Sequence, residues 1–572
     1  MSTPLAVPSA GTISKDGSYQ WRWIALFVIL AAEVMDLLDA LVTNIAAPTI
    51  RIELGGTASL MQWLGAGYTL AMAVGLITGG RLGDIFGKRR MFLIGAIGFG
   101  SGSLLCALAQ SPEILIAARV LQGLFGAVML PQGLGMIKEM FDRTEMAKAF
   151  GLFGPVMGLS SVGGPVLAGW LIEADFFGTG WRMIFLINLP LSLIAILGGV
   201  RFLPKIRSPH PLRLDMVGMG LISMAAFLIV YPLVQGRELD WPIWMFAMMA
   251  GAVVVLTVFG RYEAHKQRLG GDPLVVPGLF RKRAFSGGLI MGLVFFSGMT
   301  GFSLVFSLYT QIGLGYPPLK AGLAGLPWSI GMLVGFGIAQ GFVQRLGRRL
   351  IHIGTVIMAA GVAGMVLTLD IAGIGVTPWQ LAPTLIVTGI GMGLIMSPYF
   401  DIVLAGVEPH ETGSASGTLT AVQQLGSAFG VALLGTVFFG LLGANVTAAA
   451  DDTVPKLRAE LATVQVTGAQ QDALVTGLRD CSHDRAVAKD QSAIPVSCAR
   501  LASDARAAAT SPESGAAIQR ALATSGETAA KAGFSDAMKL TVWVVVGMLT
   551  LTFVVTYLMP KRAREEDETA GP

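Results

Sequence analysis

The chain has 572 residues, a formal net charge of +4, 53% hydrophobic residues and only 13% charged ones. With a mean hydropathy of +0.67, it lies outside the soluble globular class, in which about a quarter of residues are charged. The small excess of base excludes a nucleic-acid surface, because the Lys and Arg residues fall in turns between apolar runs, where membrane topology accounts for them. Composition points to an all-α polytopic membrane protein.

A helix needs about 20 apolar residues to cross about 30 Å of hydrocarbon, and fourteen stretches reach that length. Residues 1–22 are a polar tail, and the first span, 23–48, is too long for a signal-peptide core, so it is expected to remain as an anchor. It holds Glu33, Asp36 and Asp39 with no base beside them. An acid near the bilayer centre costs about 2.5–3.5 kcal/mol on insertion scales, which marks these three as functional candidates. At helical pitch they spread over roughly 120° of one helix, so they can border one internal cavity without meeting at a point.

The second span, 61–82, runs into Gly80-Arg81-Leu82-Gly83-Asp84-Ile85-Phe86-Gly87-Lys88-Arg89-Arg90. Such a charged turn belongs at the membrane surface. Gly83 and Gly87 are expected to let the chain reverse there, and Asp84 to pair with the bases that open the third span, 90–109. The fourth span, 113–134, carries Arg119 at a depth matching Asp39, and an Asp39–Arg119 pair is expected because a deep charge faces the bundle interior and finds a partner. Two readings stand for that pair. It is a static ion pair that fixes helix packing, or a proton site whose affinity changes as the acid meets and leaves Arg119. In the second reading Asp39 carries the proton and Glu33 and Asp36 favour cationic substrates.

The fifth span, 149–173, holds Gly158, Gly163, Gly164, Pro165 and Gly169, which allow close approach of a neighbour and a bend. After the sixth span, 182–203, come 215–235 and 242–260, then 285–311, 321–343, 351–369, 378–404, 414–443 and 535–559. The turn Gln344-Arg345-Leu346-Gly347-Arg348-Arg349 echoes Asp84 to Arg90 and marks an internal repeat. Aligning the copies gives a six-helix bundle over 23–203, a linker with two extra spans over 204–284, a second bundle over 285–559 and a tail over 560–572. Placing the N-terminus inside puts about 25 bases on one side and about four in the opposite short loops, so both termini are expected to be cytoplasmic.

Residues 444–533 form a long external segment, read as a solvated spacer with helical parts at Pro455–Arg479 and Gly515–Lys531, or as a lid or docking site for an envelope adaptor protein. Cys481 and Cys498 both lie in it and are candidates for a disulfide, whereas Cys106 is expected to pack within a span. Five scattered histidines offer no metal-ligand spacing, and Gly83 to Arg89 lacks the spacing of a nucleotide-binding loop. A non-enzymatic protein without cofactor, driven by the proton gradient, is the expectation.

These residues resemble the major facilitator superfamily, and within it the fourteen-span drug:proton antiporters of the EmrB/QacA type. The resemblance covers nearly the whole chain. Leu38 to Pro48 is similar to the first-span motif of that group, Gly80 to Arg90 to the superfamily's loop motif, and Arg119, Gln122, Gly123, Gly126 and Ala127 to the fourth-span motif. Gly164, Pro165 and Gly169 resemble the antiporter motif, and Trp181 to Pro190 the entry of the sixth span. The resemblance implies alternating access driven by protons, with Asp39 and Arg119 in coupling, Asp84, Gly80, Gly87, Lys88, Arg89 and Arg90 controlling an inner gate, and Gly164, Pro165 and Gly169 marking export. Glu33 and Asp36 are additional to the shared motif, and Gln344 weakens the second loop motif. The function expected is efflux of amphipathic, in part cationic, small molecules across the cytoplasmic membrane of the cell. The alternatives are a dedicated exporter of one endogenous metabolite, antibiotic, siderophore or lipid, and a non-transporting receptor.

Overall fold

The computed structural model describes residues 19–141, 145, 156, 160, 163–205, 215–236, 239–271, 273–275, 277–404, 407, 412–488 and 494–561. Every regular element among them is helical. In chain order these are α1 (Arg22–Leu54), α2 (Ala58–Phe86), α3 (Lys88–Ala107), α4 (Pro112–Met140), α5 (163–174) and α6 (Gly180–Phe202). Then follow α7 (Met216–Gln235), α8 (Ile243–Arg268), α9 (Arg283–Leu308), α10 (Pro318–Leu346), α11 (Arg348–Ala372) and α12 (Pro378–Val403). The last are α13 (Thr412–Thr463), α14 (Ala469–Val487), α15 (Val496–Ala507) and α16 (Pro512–Val555).

Among the described residues, 11 helices are long and apolar enough to cross a membrane, or 12 when the bent α2 is taken as one span. The 33 residues of α1 exceed the length needed, but Glu33, Asp36 and Asp39 place three acids within seven residues of its middle. The bend in α2, 46° between Leu76 and Thr78, lies where Gly75 and Gly79 press on α4: a Cβ on Gly79 would sit 2.1 Å from the Ala127 carbonyl oxygen. Without a hydrophobic force between helices in lipid, such small-residue contact is what lets backbones gain van der Waals packing.

The same device recurs between α10 and α12, where a Cβ on Gly331 or Gly335 would lie 2.2 Å from the carbonyl of Ile386 or Ile390. The α2–α3 and α10–α11 turns match as well. Gly87 (φ 95°) and Gly347 (φ 48°) each cap the preceding helix, with N–H donated to Gly83 O and Val343 O at 2.9 Å. Positive φ is what glycine tolerates there. Gly83 does not help to reverse the chain, contrary to expectation. It lies inside α2, where a Cβ would be 1.7 Å from Gln132 Oε1, so its absent side chain serves helix packing.

The extra helices α7 and α8 pack on each other, and α7 packs beside α2 and α13, with Thr436 Oγ1 donating to Leu233 O at 2.6 Å. The segment expected to leave the bundle at 444 instead continues α13 to Thr463, and α16 starts at Pro512 rather than near 535. The helix expected over 455–479 is broken after Thr463, where Gln465 (φ 62°) and Gly468 (φ 60°) take left-handed conformations. With α14 and α15 these extensions form a small lobe around Leu457, Leu461, Leu474, Leu478 and Ile518. The spacer reading therefore gives way to a folded lobe, because these leucines at helical spacing supply a core of their own. Cys481 and Cys498 are joined by a disulfide across α14 and α15, and Cys106 is buried and free.

A bridge closing a 17-residue separation stabilises by about 3 kcal/mol in the chain-entropy account. Reduction, or Cys481→Ser with Cys498→Ser, is expected to speed proteolysis between 463 and 512 in detergent while the bundle fragment stays intact on a gel.

Candidate binding cavity and its buried charge network

The acids of α1 sit at i, i+3 and i+6, and each step of three turns the side chain back by about 60°. The three carboxylates consequently face three environments. Asp39 is fully buried. Arg119 Nη1 donates to its Oδ2 in an ion pair between side chains exposed by 1% or less. Gln122 Nε2 and Asn188 Nδ2 donate to its Oδ1 at 2.8 and 2.7 Å. Arg119 also donates from Nε to Leu64 O at 3.2 Å and from Nη1 to Gln122 Oε1 at 2.7 Å. Its guanidinium carbon lies 4.2 Å from the Tyr68 ring centroid. Ser103 Oγ accepts from Gln122 and Asn188 at 2.8 and 3.2 Å. Five helices thus contribute to one electrically neutral, interlocked cluster, which is how a buried ion pair offsets its desolvation.

Asp36 stands on the other side of Tyr68, whose hydroxyl donates to Asp36 Oδ1. Both residues, with Arg119, line a cavity of about 320 Å³. Its further walls are Asn44, Thr69 and Pro165 from α1, α2 and α5, and Phe296, Met299, Thr300, Ser303, Trp328, Gln424 and Ser427 from α9, α10 and α13. Asp36 and Arg119 are the charged residues among this lining. The rest is aromatic or apolar with a few hydroxyls and amides, the composition of a small-molecule pocket.

Glu33 is buried but does not line the cavity. It lies by α4, where a Cβ on Gly133 would be 3.9 Å from Glu33 Oε1. The expectation that the three acids border one cavity is therefore corrected: the helical twist gives the cavity to Asp36, the ion pair to Asp39 and the α4 contact to Glu33.

The other motif residues lie at the seams. Gly164 packs on Leu38 and Leu41, and a Cβ on Gly169 would be 2.4 Å from Leu319 Cα. Reciprocally, a Cβ on Gly322 would be 2.3 Å from Pro165 O, and Leu319 N–H donates to Glu173 Oε1 at 2.8 Å. At the same end Ser307 Oγ donates to Asn44 O at 2.8 Å, and Gly65 and Gly435 face Val431 and Gln62. These contacts join α1–α5 to α9–α13. Gly158 lies outside the described residues. At the opposite end Arg81 is buried and donates to Pro273 O and Leu274 O. Arg89 donates to Val200 O, Lys88 packs on Gly135, Gly80 sits by Pro131, Asp84 is half-buried and Arg90 is exposed.

Sequence reasoning missed Tyr68, Asn188 and the cavity aromatics Phe296 and Trp328. Tyr68 and Asn188 carried a usable signal, being polar groups deep in apolar spans. Phe296 and Trp328 carried none, since aromatic residues are common throughout the spans.

Residues 22–431 match the family model described as Major Facilitator Superfamily. The chain is 46% identical over 559 residues to the "Probable actinorhodin transporter" of Streptomyces coelicolor, covering 97% of this chain and 95% of that one. It is 37% identical to the "Puromycin resistance protein pur8" of Streptomyces alboniger, over 74% of this chain and 83% of that one. In fold it is similar to the solved "Bacterial Homolog to Human Lysosomal Transporter, Spinster, in Inward-facing And Occupied Conformation", with TM-score 0.58, 15% identity and coverage of 95% and 97%. On these grounds the chain belongs to the major facilitator superfamily and is a multi-pass membrane transporter.

Proposed function

We propose that the protein is a proton-driven efflux transporter of the fourteen-span type, exporting amphipathic, drug-like molecules across the cytoplasmic membrane. The observation that carries this reading is the cavity between the two sets of helices, largely apolar and aromatic with a few hydroxyls and amides, in which Asp36 is the acid within reach of its contents and Arg119, held by Asp39, the base at its wall. The names of the relatives, an antibiotic transporter and an antibiotic resistance protein, support export of such compounds. In this reading the helices divide as six, two and six, both termini are cytoplasmic, and the seam of Asn44, Ser307, Gly169 and Gly322 is the closed outer gate.

The proton-carrying role passes from Asp39 to Asp36. Asp39 is saturated by Arg119, Gln122 and Asn188 and sealed from water, so a proton can displace nothing there without leaving Arg119 unpaired. Asp36 borders the cavity and holds one hydroxyl, so a proton and a cationic substrate compete for it. Asp39 and Arg119 then hold α1 against α4 while Asp36 exchanges. Glu33, against α4, is given no part in substrate selection.

A second reading, a dedicated exporter of one endogenous product, is favoured by the 46% match that runs over almost the entire chain, lobe included. Comparing metabolites in the medium of cells with and without the gene decides between them. One missing compound supports the dedicated exporter.

In everted vesicles, Asp36→Asn is expected to abolish efflux driven by a pH gradient while the protein keeps its thermal stability in detergent. Asp39→Asn leaves Arg119 charged in a dry site and is expected to cost about 3–5 kcal/mol of stability, read as a large drop in melting temperature. Efflux at full rate in Asp36→Asn would return the coupling role to another group. Arg119→Lys cannot reproduce the planar fork that reaches Leu64, Asp39 and Gln122, and is expected to lower efflux by about tenfold or more. Trp328→Ala removes an aromatic wall and is expected to raise the KM for aromatic dyes by about tenfold with pH coupling intact.

A further inference from the structure

A second buried charged cluster lies well away from the cavity, where α7 begins and α8 ends. Asp215 caps α7, accepting from Gly218 N–H at 2.9 Å, and it also accepts from Tyr262 OH at 3.0 Å. Lys266 Nζ is 2.9 Å from its Oδ2. Glu263 is 2% exposed and Asp215 3%. The two carboxyls crowd one spot: a Cβ on Gly218 would meet Glu263 Oε1 at 2.4 Å and Asp215 Oδ2 at 2.7 Å. The other oxygen of Glu263 accepts from Val275 N–H at 3.2 Å.

That last bond reaches the connector between α8 and α9. Leu274 and Val275 are buried, and the carbonyls of Pro273 and Leu274 both accept from Arg81, itself 7% exposed. Arg81 belongs to the charged turn that ends α2. A continuous chain of contacts therefore runs from the α2–α3 turn, through the connector, to Glu263 and Asp215 of the extra helices.

We infer that Glu263 is a positioning residue for the transport cycle: it holds residues 273–275 so that two carbonyls fix Arg81, and through this strap the α7–α8 pair sets the conformation of the α2–α3 turn. The extra pair is thereby more than a spacer between repeats. The connector is the covalent lead into α9, so any rocking of α9 against α2 must stretch, shift or release it. A buried carboxylate bonded to the connector backbone resists that motion in one state and defines it. Lys266 offsets the charge of Asp215, and a proton held between the crowded Asp215 and Glu263 carboxyls removes the repulsion that two adjacent buried carboxylates would otherwise feel.

The test uses the full-length protein, with amide hydrogen exchange and efflux kinetics measured on the same variants. In Glu263→Ala, exchange is expected to rise both in peptides spanning 271–281 and in peptides spanning 80–90, with kcat lowered about tenfold and KM unchanged, the range of coupling between linked sites. Glu263→Gln keeps a carbonyl for Val275 N–H and offers an amide N–H to Asp215, so it is expected to restore both readouts to near the parent values. Arg81→Met keeps the aliphatic stem but removes Nη2, the nitrogen that donates to both carbonyls, and is expected to reproduce the rise over 271–281. A rise confined to 271–281 in Glu263→Ala with kcat unchanged would overturn the inference, reducing Glu263 to a local structural role. Should Glu263→Ala fail to fold, parent-like exchange and kcat in Arg81→Met would overturn it equally. Exchange is independent of which compound is carried, so its outcome stands apart from the efflux reading, on which only the rate readout rests.

Discussion

Burying one carboxylate and one guanidinium in the same dry place is the constraint around which the first set of helices is arranged. Neither Asp39 nor Arg119 could remain charged there alone, since an isolated buried ion costs many kcal/mol. Asp39 therefore accepts from Arg119 on one oxygen and from Gln122 and Asn188 on the other, Arg119 donates on to the Leu64 carbonyl and Gln122, and Ser103 accepts from the two amides. Satisfying that cluster fixes α1, α2, α3, α4 and α6 relative to one another and places Tyr68 over the guanidinium. Tyr68 in turn presents its hydroxyl to Asp36. The dry ion pair thus orders the wet acid.

Glycine does the corresponding work where charge is absent. The α2–α4 and α10–α12 pairs pack backbone on backbone through Gly79, Gly331 and Gly335, giving each set a stiff pair of helices. Between the sets, Gly169 and Gly322 allow α5 and α10 to touch directly beside Pro165. A seam of this kind has few side chains to disengage, chiefly Ser307 and Glu173 with one hydrogen bond each across it, so it can part and re-form as a surface, which is what alternating exposure of a central cavity requires. Gly169 and Gly322 are therefore understood physically as the condition for a flush seam.

The polar contacts at the opposite end have a different character. There Arg81, Arg89 and Glu263 reach backbone carbonyls or amides rather than one another, so charged side chains hold connecting segments in place. The folded lobe at the seam end follows α13 and α16 without a break and carries its own core and disulfide.

By itself the sequence determined the membrane class, the all-helical make-up, the repeat of the charged turn and the depth match between Asp39 and Arg119, because each follows from apolar length, turn composition or rise per residue. It determined the cysteine pair as well, from two thiols isolated in one polar segment. Only the tertiary structure decided which of three acids on α1 meets the cavity, since a 60° offset matters solely once neighbours occupy each direction. It alone decided that Gly83 packs rather than turns, that residues 444–533 fold into a lobe, and that Tyr68, Asn188 and Glu263 join distant segments. Those facts arise from contacts between residues far apart in the chain, and spacing within a single helix carries no information about them.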